Sequence, residues 1–345
     1  MKENGIKCIV WDLDDTIWNG VLLESQQLRL KPQITDIIKE LDGRGILHSI
    51  ASKNNYELAM QKLEQFAIAD YFLFPEINWN AKSISIAKIQ KNLNIGMDSI
   101  MFVDDQQFEI EEVKSSHPGV TCINATEYRN FLTRDQLKPR FITEDSKRRR
   151  LLYLAERTRQ LEEENYQGPK EEFMAGLNMK FMIAPASEED LKRAEELTVR
   201  TNQLNSTGLT YDYDELDRFR KSDDHLLLIC ELTDRFGSYG KIGLALIEIS
   251  MKSWNIKLLL MSCRVISRGV GTVLLTYIMQ QAQKAGKKLF ADFRKTDRNR
   301  MMYLAYKFSN FKETQTKEND IRLANDLSYI PEFPPYIDIV THNRL

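Results

Sequence analysis

Cysteine is scarce in this 345-residue chain: four thiols, at positions 8, 122, 230 and 263, with no CxxC pair among them. Scattered single thiols argue against a disulfide framework or a structural zinc site and fit a reducing compartment. Histidine is equally sparse. His48, His117, His225 and His342 show neither HxxxH nor HExxH spacing and are read as incidental. A basic excess is absent too, since 48 Lys and Arg face 50 Asp and Glu for a net charge of −2. Gripping nucleic acid through its phosphates usually needs such an excess, which sets that class aside. No apolar run approaches the roughly 18 residues of a membrane span. The opening MKENGIKCIVWDLDD turns acidic too soon for a secretory signal, so a cytoplasmic, non-membrane protein is expected. What is present is ordinary globular material, 42% hydrophobic and 28% charged. At roughly 150 residues per domain, the length suggests two domains.

The first 125 residues alternate short apolar runs with amphipathic stretches. The runs are 6–11, 46–51, 71–74, 99–103 and 120–123; helices are expected near 33–43, 55–66, 81–92 and 107–115. Apolar runs without strict alternation, separated by helices, predict a parallel sheet covered on both faces, the doubly wound α/β class. Residues 134–166 are charged and helix-forming, and Gln167-Gly168-Pro169 stops that helix. The run Lys147-Arg148-Arg149-Arg150 within it reads as a solvated helix face or a domain junction rather than a phosphate-binding patch.

After 176 the pattern changes. A strand near 178–184 precedes helices at 188–200 and 212–221, then strands at 225–233, 240–250 and 254–263. A helix at 270–285, a strand at 288–293 and a helix at 299–308 follow. Three successive strands suggest an antiparallel meander, with residues 235–240 as one turn. Pro331, Pro334 and Pro335 predict an extended tail. The expected division is a domain over 1–133, a helical linker over 134–175 and a second, α+β domain over 176–345.

The strongest motif is Asp12-Leu13-Asp14-Asp15-Thr16, directly after an apolar strand. In an open α/β sheet, ligands collect at the carboxyl ends of strands, so these acids would line the mouth of a crevice. Crowded carboxylates repel one another unless a cation neutralises them, and oxygen ligands of this kind suit Mg²⁺. A carboxylate can also attack phosphorus to give an aspartyl phosphate. Ser52, Lys82 and Asp104-Asp105 each fall at or just after a later strand end. Phosphoryl transfer needs such hydrogen-bonding and positive groups around the equatorial oxygens, with metal-binding carboxylates beneath. The competing account is a set of metal-free surface acids. Asp12 and Ser52 are 40 positions apart, which leaves roughly residues 18–30 for a hairpin flap and no room for a lid domain.

This set resembles the haloacid dehalogenase superfamily of phosphotransferases. The resemblance implies that Asp12 is the nucleophile and Asp14 the general acid and base. Ser52 and Lys82 would hold the phosphoryl oxygens, and Asp104 and/or Asp105 would complete a Mg²⁺ site with Asp12 and Asp14. The stretches 10–21, Ser52-Lys53-Asn54-Asn55, Phe102–Glu109, Arg200–Asn205 and Ser262-Cys263-Arg264-Val265 are more particular and look like the FkbH-like family. That family joins a subfamily IIIC phosphatase domain to an acetyltransferase-like domain of the GCN-related (GNAT) type. Its members act in polyketide pathways, taking a glyceryl unit from 1,3-bisphosphoglycerate and loading it onto an acyl carrier protein. By the same resemblance Asn54 would join the substrate-binding residues. The chain departs from the family in carrying Gln106-Gln107 after Asp105 and Ser-Thr-Gly-Leu-Thr after Asn205.

Ser267-Arg268-Gly269-Val270-Gly271-Thr272 resembles the acyl-CoA loop of such acetyltransferases, with Gly269 and Gly271 exposing helix N-terminal amides to a phosphate. A plain strand-to-helix turn is the alternative. Ile266 stands where that loop usually has Gln or Arg. Cys263, beside Arg264, is either an acyl-accepting thiol or a small core residue. Trp11 and Trp18 are expected to pack the flap. The partners implied are a phosphorylated three-carbon or acyl-phosphate substrate and the phosphopantetheine of a carrier protein. A stand-alone phosphatase acting on a small metabolite or phosphotyrosine, and a carrier-protein binding module, remain as alternatives.

Overall fold

The computed structural model describes residues 5–25 and 27–342. It divides into two compact units, Met1–Arg157 and Thr158–Leu345.

In the first unit the chain runs β1 (Cys8–Trp11), β2 (Trp18–Asn19), β3 (Arg29–Leu30), α1 (Ile34–Gly43), β4 (Leu47–Ser52) and α2 (Tyr56–Gln65). It continues through β5 (Glu76–Ile77), α3 (Lys82–Leu93), β6 (Ile100–Asp104), α4 (Gln107–Ser116), β7 (Thr121–Asn124) and α5 (Glu144–Lys147). Helix α6 (Arg149–Asn165) spans the division between units. Five strands form a parallel sheet in the order β5-β4-β1-β6-β7. Alternate residues of one strand serve opposite faces, so Ile9 and Trp11 pack in one core with Ile37, Ile38 and Leu41 of α1. Cys8 and Val10 pack in the other with Ile86, Ile89 and Leu93 of α3. This is the doubly wound sheet expected from the apolar runs. Strands β2 and β3 pair antiparallel and make the short flap that the motif spacing allowed.

The run 71–74 is not a strand. Phe72 makes only an isolated parallel bridge to His48, and Phe74 takes a left-handed conformation (φ 49°) ahead of Pro75, which has no N–H to give a ladder. The edge pairing resumes at Glu76–Ile77 instead. The basic run is not simply solvated: Arg150 reaches Asp42 at 3.1 Å and the Asp70 carbonyl at 2.9 Å, with its guanidinium over Tyr71.

The second unit contains α7 (Lys170–Gly176), β8 (Met179–Pro185), α8 (Leu191–Arg200), α9 (Tyr213–Lys221), β9 (His225–Asp234) and β10 (Gly237–Ile249). Next come β11 (Ser253–Met261), α10 (Val270–Lys284), β12 (Lys288–Arg294), α11 (Arg300–Phe308), β13 (Lys312–Lys317), β14 (Asp320–Asn325) and β15 (Ile337–Thr341). Its eight-stranded sheet has the order β13-β14-β12-β11-β10-β9-β8-β15. Strands β9 to β11 are the expected antiparallel meander, which β8 extends, whereas β11 and β12 run parallel through the crossover helix α10. Helices α10 and α11 pack on one face through Leu274, Ile278 and Tyr306, and α8 and α9 on the other through Leu197 and Leu216. This is the α+β, acetyltransferase-like architecture. The proline-bearing tail ends as β15, parallel to β8.

His48 is not incidental to the first unit. It is fully buried, accepts from the Trp11 indole at 3.1 Å through Nδ1, and lies 3.1 Å from the Ile38 carbonyl through Nε2. Those partners fix the neutral ring with its proton on Nε2, and burial pushes the pKa down to about 3. The unfolded chain takes up this proton near pH 6.5, so stability is full above that value and is lost as pH falls toward 3. The urea midpoint is expected to drop between pH 6.5 and 4, and a His48→Gln variant to show a flatter decline. An equally steep decline in the variant would count against this account.

Candidate active site

The site begins with strand register. Trp11 of β1 lies opposite Val103 of β6, and the Asp12 amide donates to the Val103 carbonyl at 2.9 Å. The next residues outward, Asp12 and Asp104, therefore emerge side by side at the carboxyl edge of the sheet. With Asp105, they bring one oxygen each to within 4.8 Å of one another. Lys82, the first residue of α3, donates to Asp12 Oδ1 at 2.6 Å and to Asp104 Oδ2. Asp12, Lys82 and Asp104 are all buried.

Three carboxylates thus share one ammonium. Burial and then the Asp12 charge push the Asp104 carboxyl up to about 7, against the opposing pull of Lys82 and the Gln106 amide. Burial, again followed by Asp12, also raises Asp105. Burial alone would lower Lys82, but Asp12 and Asp104 outweigh it and hold the ammonium above its ordinary value. Asp105 Oδ1 is buried without a hydrogen-bond partner. An orphaned carboxylate oxygen in an all-oxygen, over-negative cluster fits a hard divalent cation such as Mg²⁺.

Asp14 stands apart from this trio. Its Oδ1 accepts from the Trp18 indole at 2.8 Å and the Leu22 amide at 3.0 Å, and its Oδ2 from Asn54 at 2.9 Å. Its carboxylate is therefore held by the flap and by the loop after β4, and it is not in the group that could share a cation. Burial raises its pKa, with the three hydrogen bonds opposing and Asp12 adding to the rise. Asn54, expected to face the substrate, spends its amide on Asp14. Ser52 ends β4, buried, with its carbonyl accepting from the Asn78 amide at 3.0 Å. Trp18 was missed as a site residue. Its spacing four residues after Asp14 is the signal in the sequence, and its role goes beyond the expected packing of the flap. Both tryptophans are fully buried, Trp11 among His48 and Phe131 and Trp18 near Phe66.

The remaining expected residues belong to the second unit. Cys263 is half-buried and opens the 3₁₀ turn Cys263–Arg268 after β11. Gly269 caps α10 in a left-handed conformation (φ 75°). A Cβ added at Gly271 would meet nothing within 4 Å, so packing inside the unit does not demand that glycine. Arg268, in the same loop, is fully buried and pairs with Glu163 at 2.8 Å instead of facing outward. Cys8 and Cys230 are core thiols raised by burial.

A parallel sheet with this acidic edge defines a haloacid-dehalogenase-type phosphatase domain, followed here by an α+β domain built on an eight-stranded sheet. Human magnesium-dependent phosphatase 1 is 30% identical over 149 residues, which cover 38% of this chain and 84% of that protein. The chain belongs to the family of magnesium-dependent phosphatase 1. It is also similar to the N-terminal part of protein BF1531 from Bacteroides fragilis, a structure containing a phosphatase domain complexed with Mg. That likeness is 31% identical and covers 41% of this chain and 42% of that one, at a TM-score of 0.34. The chain thus spans less than half of that structure. The ribosomal-protein-S18-alanine N-acetyltransferase of Escherichia coli matches 44% of this chain and 97% of its own length, at 15% identity and a TM-score of 0.35. No family model matches the chain. Among the described residues no helix is long and apolar enough to cross a membrane.

A cation entering the trio competes with the proton that Asp104 holds up to about pH 7. Apparent Mg²⁺ affinity, read by titration calorimetry, is expected to rise from pH 5 and level off about one unit above pH 7, with proton release on binding fading over the same range. A pH-independent affinity would contradict the site as described.

Proposed function

We propose that this protein is a Mg²⁺-dependent phosphotransferase of the FkbH-like group, subfamily IIIC of the haloacid dehalogenase superfamily. Its substrate is a phosphorylated three-carbon or acyl-phosphate donor such as 1,3-bisphosphoglycerate. The glyceryl or related acyl unit passes to the phosphopantetheine of a cytoplasmic acyl carrier protein. The phosphatase chemistry is assigned to the first unit and the acyl handling to the second. The observation that carries the reading is the pairing of a carboxylate trio, two of its members buried, with Lys82 at a strand edge, beside a separately held carboxyl of raised pKa.

When bound at Asp12, Asp104 and Asp105, Mg²⁺ supplies positive charge for the phosphoryl oxygens. Asp12 attacks phosphorus, forming an O–P bond as the bond to the leaving oxygen breaks. Asp14 gives that oxygen its proton, a role its raised pKa and three fixed partners suit. Lys82 and Ser52 hold the equatorial oxygens. Water then attacks phosphorus, the bond to Asp12 breaks, and Asp14 recovers a proton from the water. In the second unit the Cys263 thiolate would attack the acyl carbon of the acyl phosphate, forming a thioester as the acyl C–O bond breaks and that phosphate leaves. Asp12 then acts on the phosphate ester instead, and Gly269 and Gly271 would approach the phosphate of the arm. The inward-turned Arg268 favours a second reading, in which the protein is a phosphatase of a small metabolite or phosphotyrosine and the second unit transfers nothing.

With Mg²⁺ and p-nitrophenyl phosphate, Asp12→Asn is expected to abolish turnover and Asp14→Asn to slow it by about 10²–10⁴-fold. Undiminished activity in Asp12→Asn would refute the mechanism. With 1,3-bisphosphoglycerate and a holo carrier protein, intact mass is expected to show a glyceryl adduct on the carrier. Cys263→Ala is expected to lose the acyl-enzyme but keep phosphatase activity. Phosphate release without any adduct would establish the second reading.

A further inference from the structure

The second unit carries a polar groove of about 350 Å³ that the proposed chemistry does not use. Its floor is the part of the sheet from β11 to β13, on the face that carries α8 and α9 farther along at β9 and β10. Two features build it. Strand β11 bulges at Lys257, because the register with β10 jumps from Leu246–Leu258 to Ile247–Ile256. The bulge leaves Lys257 out of the pairing and in the lining of the groove. Beyond Ile256 the pairing of β11 with β12 ends, and residues 204–206 fill the gap. Ser206 exchanges hydrogen bonds with Leu259 through its amide (2.9 Å) and hydroxyl (3.0 Å), and the Arg294 amide donates to its carbonyl at 3.0 Å. The buried Asn299 amide donates to the carbonyls of Asn205 and Arg294 at 3.0 and 2.8 Å. The wall that carries Thr207 and Tyr211 is therefore rigidly tied to the floor.

The charges in this groove do not cancel. Lys257, Arg294, Lys317 and Arg322 face Asp292 and Asp320. Lys257 pairs with Asp292 at 2.8 Å and Arg294 with Asp320 at 2.5 Å. Among the described residues neither Lys317 nor Arg322 has a carboxylate partner, and the Arg322 guanidinium lies over Phe290. Four cations against two acids therefore line one concave surface in a chain whose net charge is −2, although Lys317 also acts on the Asp320 charge.

We propose that this groove binds a small phosphomonoester, its dianion set between Lys317 and Arg322. Two surplus positive charges match a phosphomonoester, which carries about −1.5 to −2 at pH 7, better than a single carboxylate. The volume suits a small ligand, and Thr207, Tyr211 and Gln315 offer hydrogen bonds to a short hydroxylated body. The groove is an occupancy site, and no bond is made or broken there.

The test uses the full chain in EDTA at low salt, with glycerol 3-phosphate as ligand and glycerol and lactate as controls. Calorimetry is expected to show binding of glycerol 3-phosphate that a Lys317→Gln/Arg322→Gln double variant weakens by at least about tenfold. Glycerol and lactate are expected to bind far more weakly, and Ser52→Ala to leave the affinity intact. The ligand is expected to protect Lys257 and Lys317 from reductive methylation, read by mass spectrometry. The double variant is expected to hydrolyse p-nitrophenyl phosphate with Mg²⁺ like the parent, which separates this site from the first unit. Equal binding by the double variant, loss of binding in Ser52→Ala, lactate binding as tightly as the phosphate ester, or no binding at millimolar ligand would each overturn the proposal.

Discussion

Three acids and a single lysine, all buried but the half-buried Asp105, set the terms for the first unit. Two like charges about 4 Å apart repel by about 4 kcal/mol at an effective dielectric of 20, so one Lys82 cannot settle Asp12, Asp104 and Asp105 together. The chain cannot relieve this locally, because the acids are delivered by the register of β1 on β6, and that register is pinned by the apolar pairs Cys8–Ile100 to Trp11–Val103. Sliding either strand by one residue would turn its buried side chains to the wrong core. The repulsion is thus a product of the same pairing that makes the sheet, and it persists until a cation or a proton enters. Asp14 still feels the Asp12 charge but is held apart from the trio, in a ring of donors from Trp18, Leu22 and Asn54.

Much of this was legible in the sequence, for identifiable reasons. Strands flanked by helices leave continuous apolar runs, and Asp12, Ser52 and Asp104 end or directly follow such runs, whereas Lys82 opens a helix after a polar loop. The short flap followed from counting residues. Strand β13 could not be read that way, because all six of its residues are exposed and none is apolar. The run 71–74 misled because its apolar residues are buried without being laddered, Phe74 and Pro75 having turned the chain. Helix α7 starts directly after the Gly168-Pro169 stop and spans only seven residues, too short to carry a clear amphipathic period. The bond from Asn54 to Asp14 and the bond from Trp11 that keeps His48 neutral join residues tens of positions apart, which no local pattern encodes.

The two units solve the problem of interior polar groups differently. In the first, polarity is concentrated at one edge and left electrically unsettled. In the second, it is consumed: Asn205, Ser206, Thr207 and Asn299 are buried, and their bonds go to backbone groups where β11 and β12 part. A gap between strands exposes main-chain amides and carbonyls, and each left bare in the interior would cost free energy comparable to a lost hydrogen bond. The segment after Arg200 removes that cost by acting as a short extra strand. Its asparagine accepts from the Thr207 and Gly208 amides and so holds the turn that carries the chain back out.

The margins of both sheets bear on how the protein behaves when crowded. One border of the parallel sheet is β5, only two residues long, and the outermost strand of the larger sheet is the polar β13 with a lysine at each end. At its opposite border β15 places Asp338 between Ile337 and Ile339. A foreign strand seeking a flat, greasy ladder finds a stub, a row of charges or an interrupted stripe, and such borders discourage runaway strand addition. The loop that brings Lys82 into place leaves from that stub, so the brevity that keeps neighbouring molecules from stitching on also leaves the lysine's approach uncluttered.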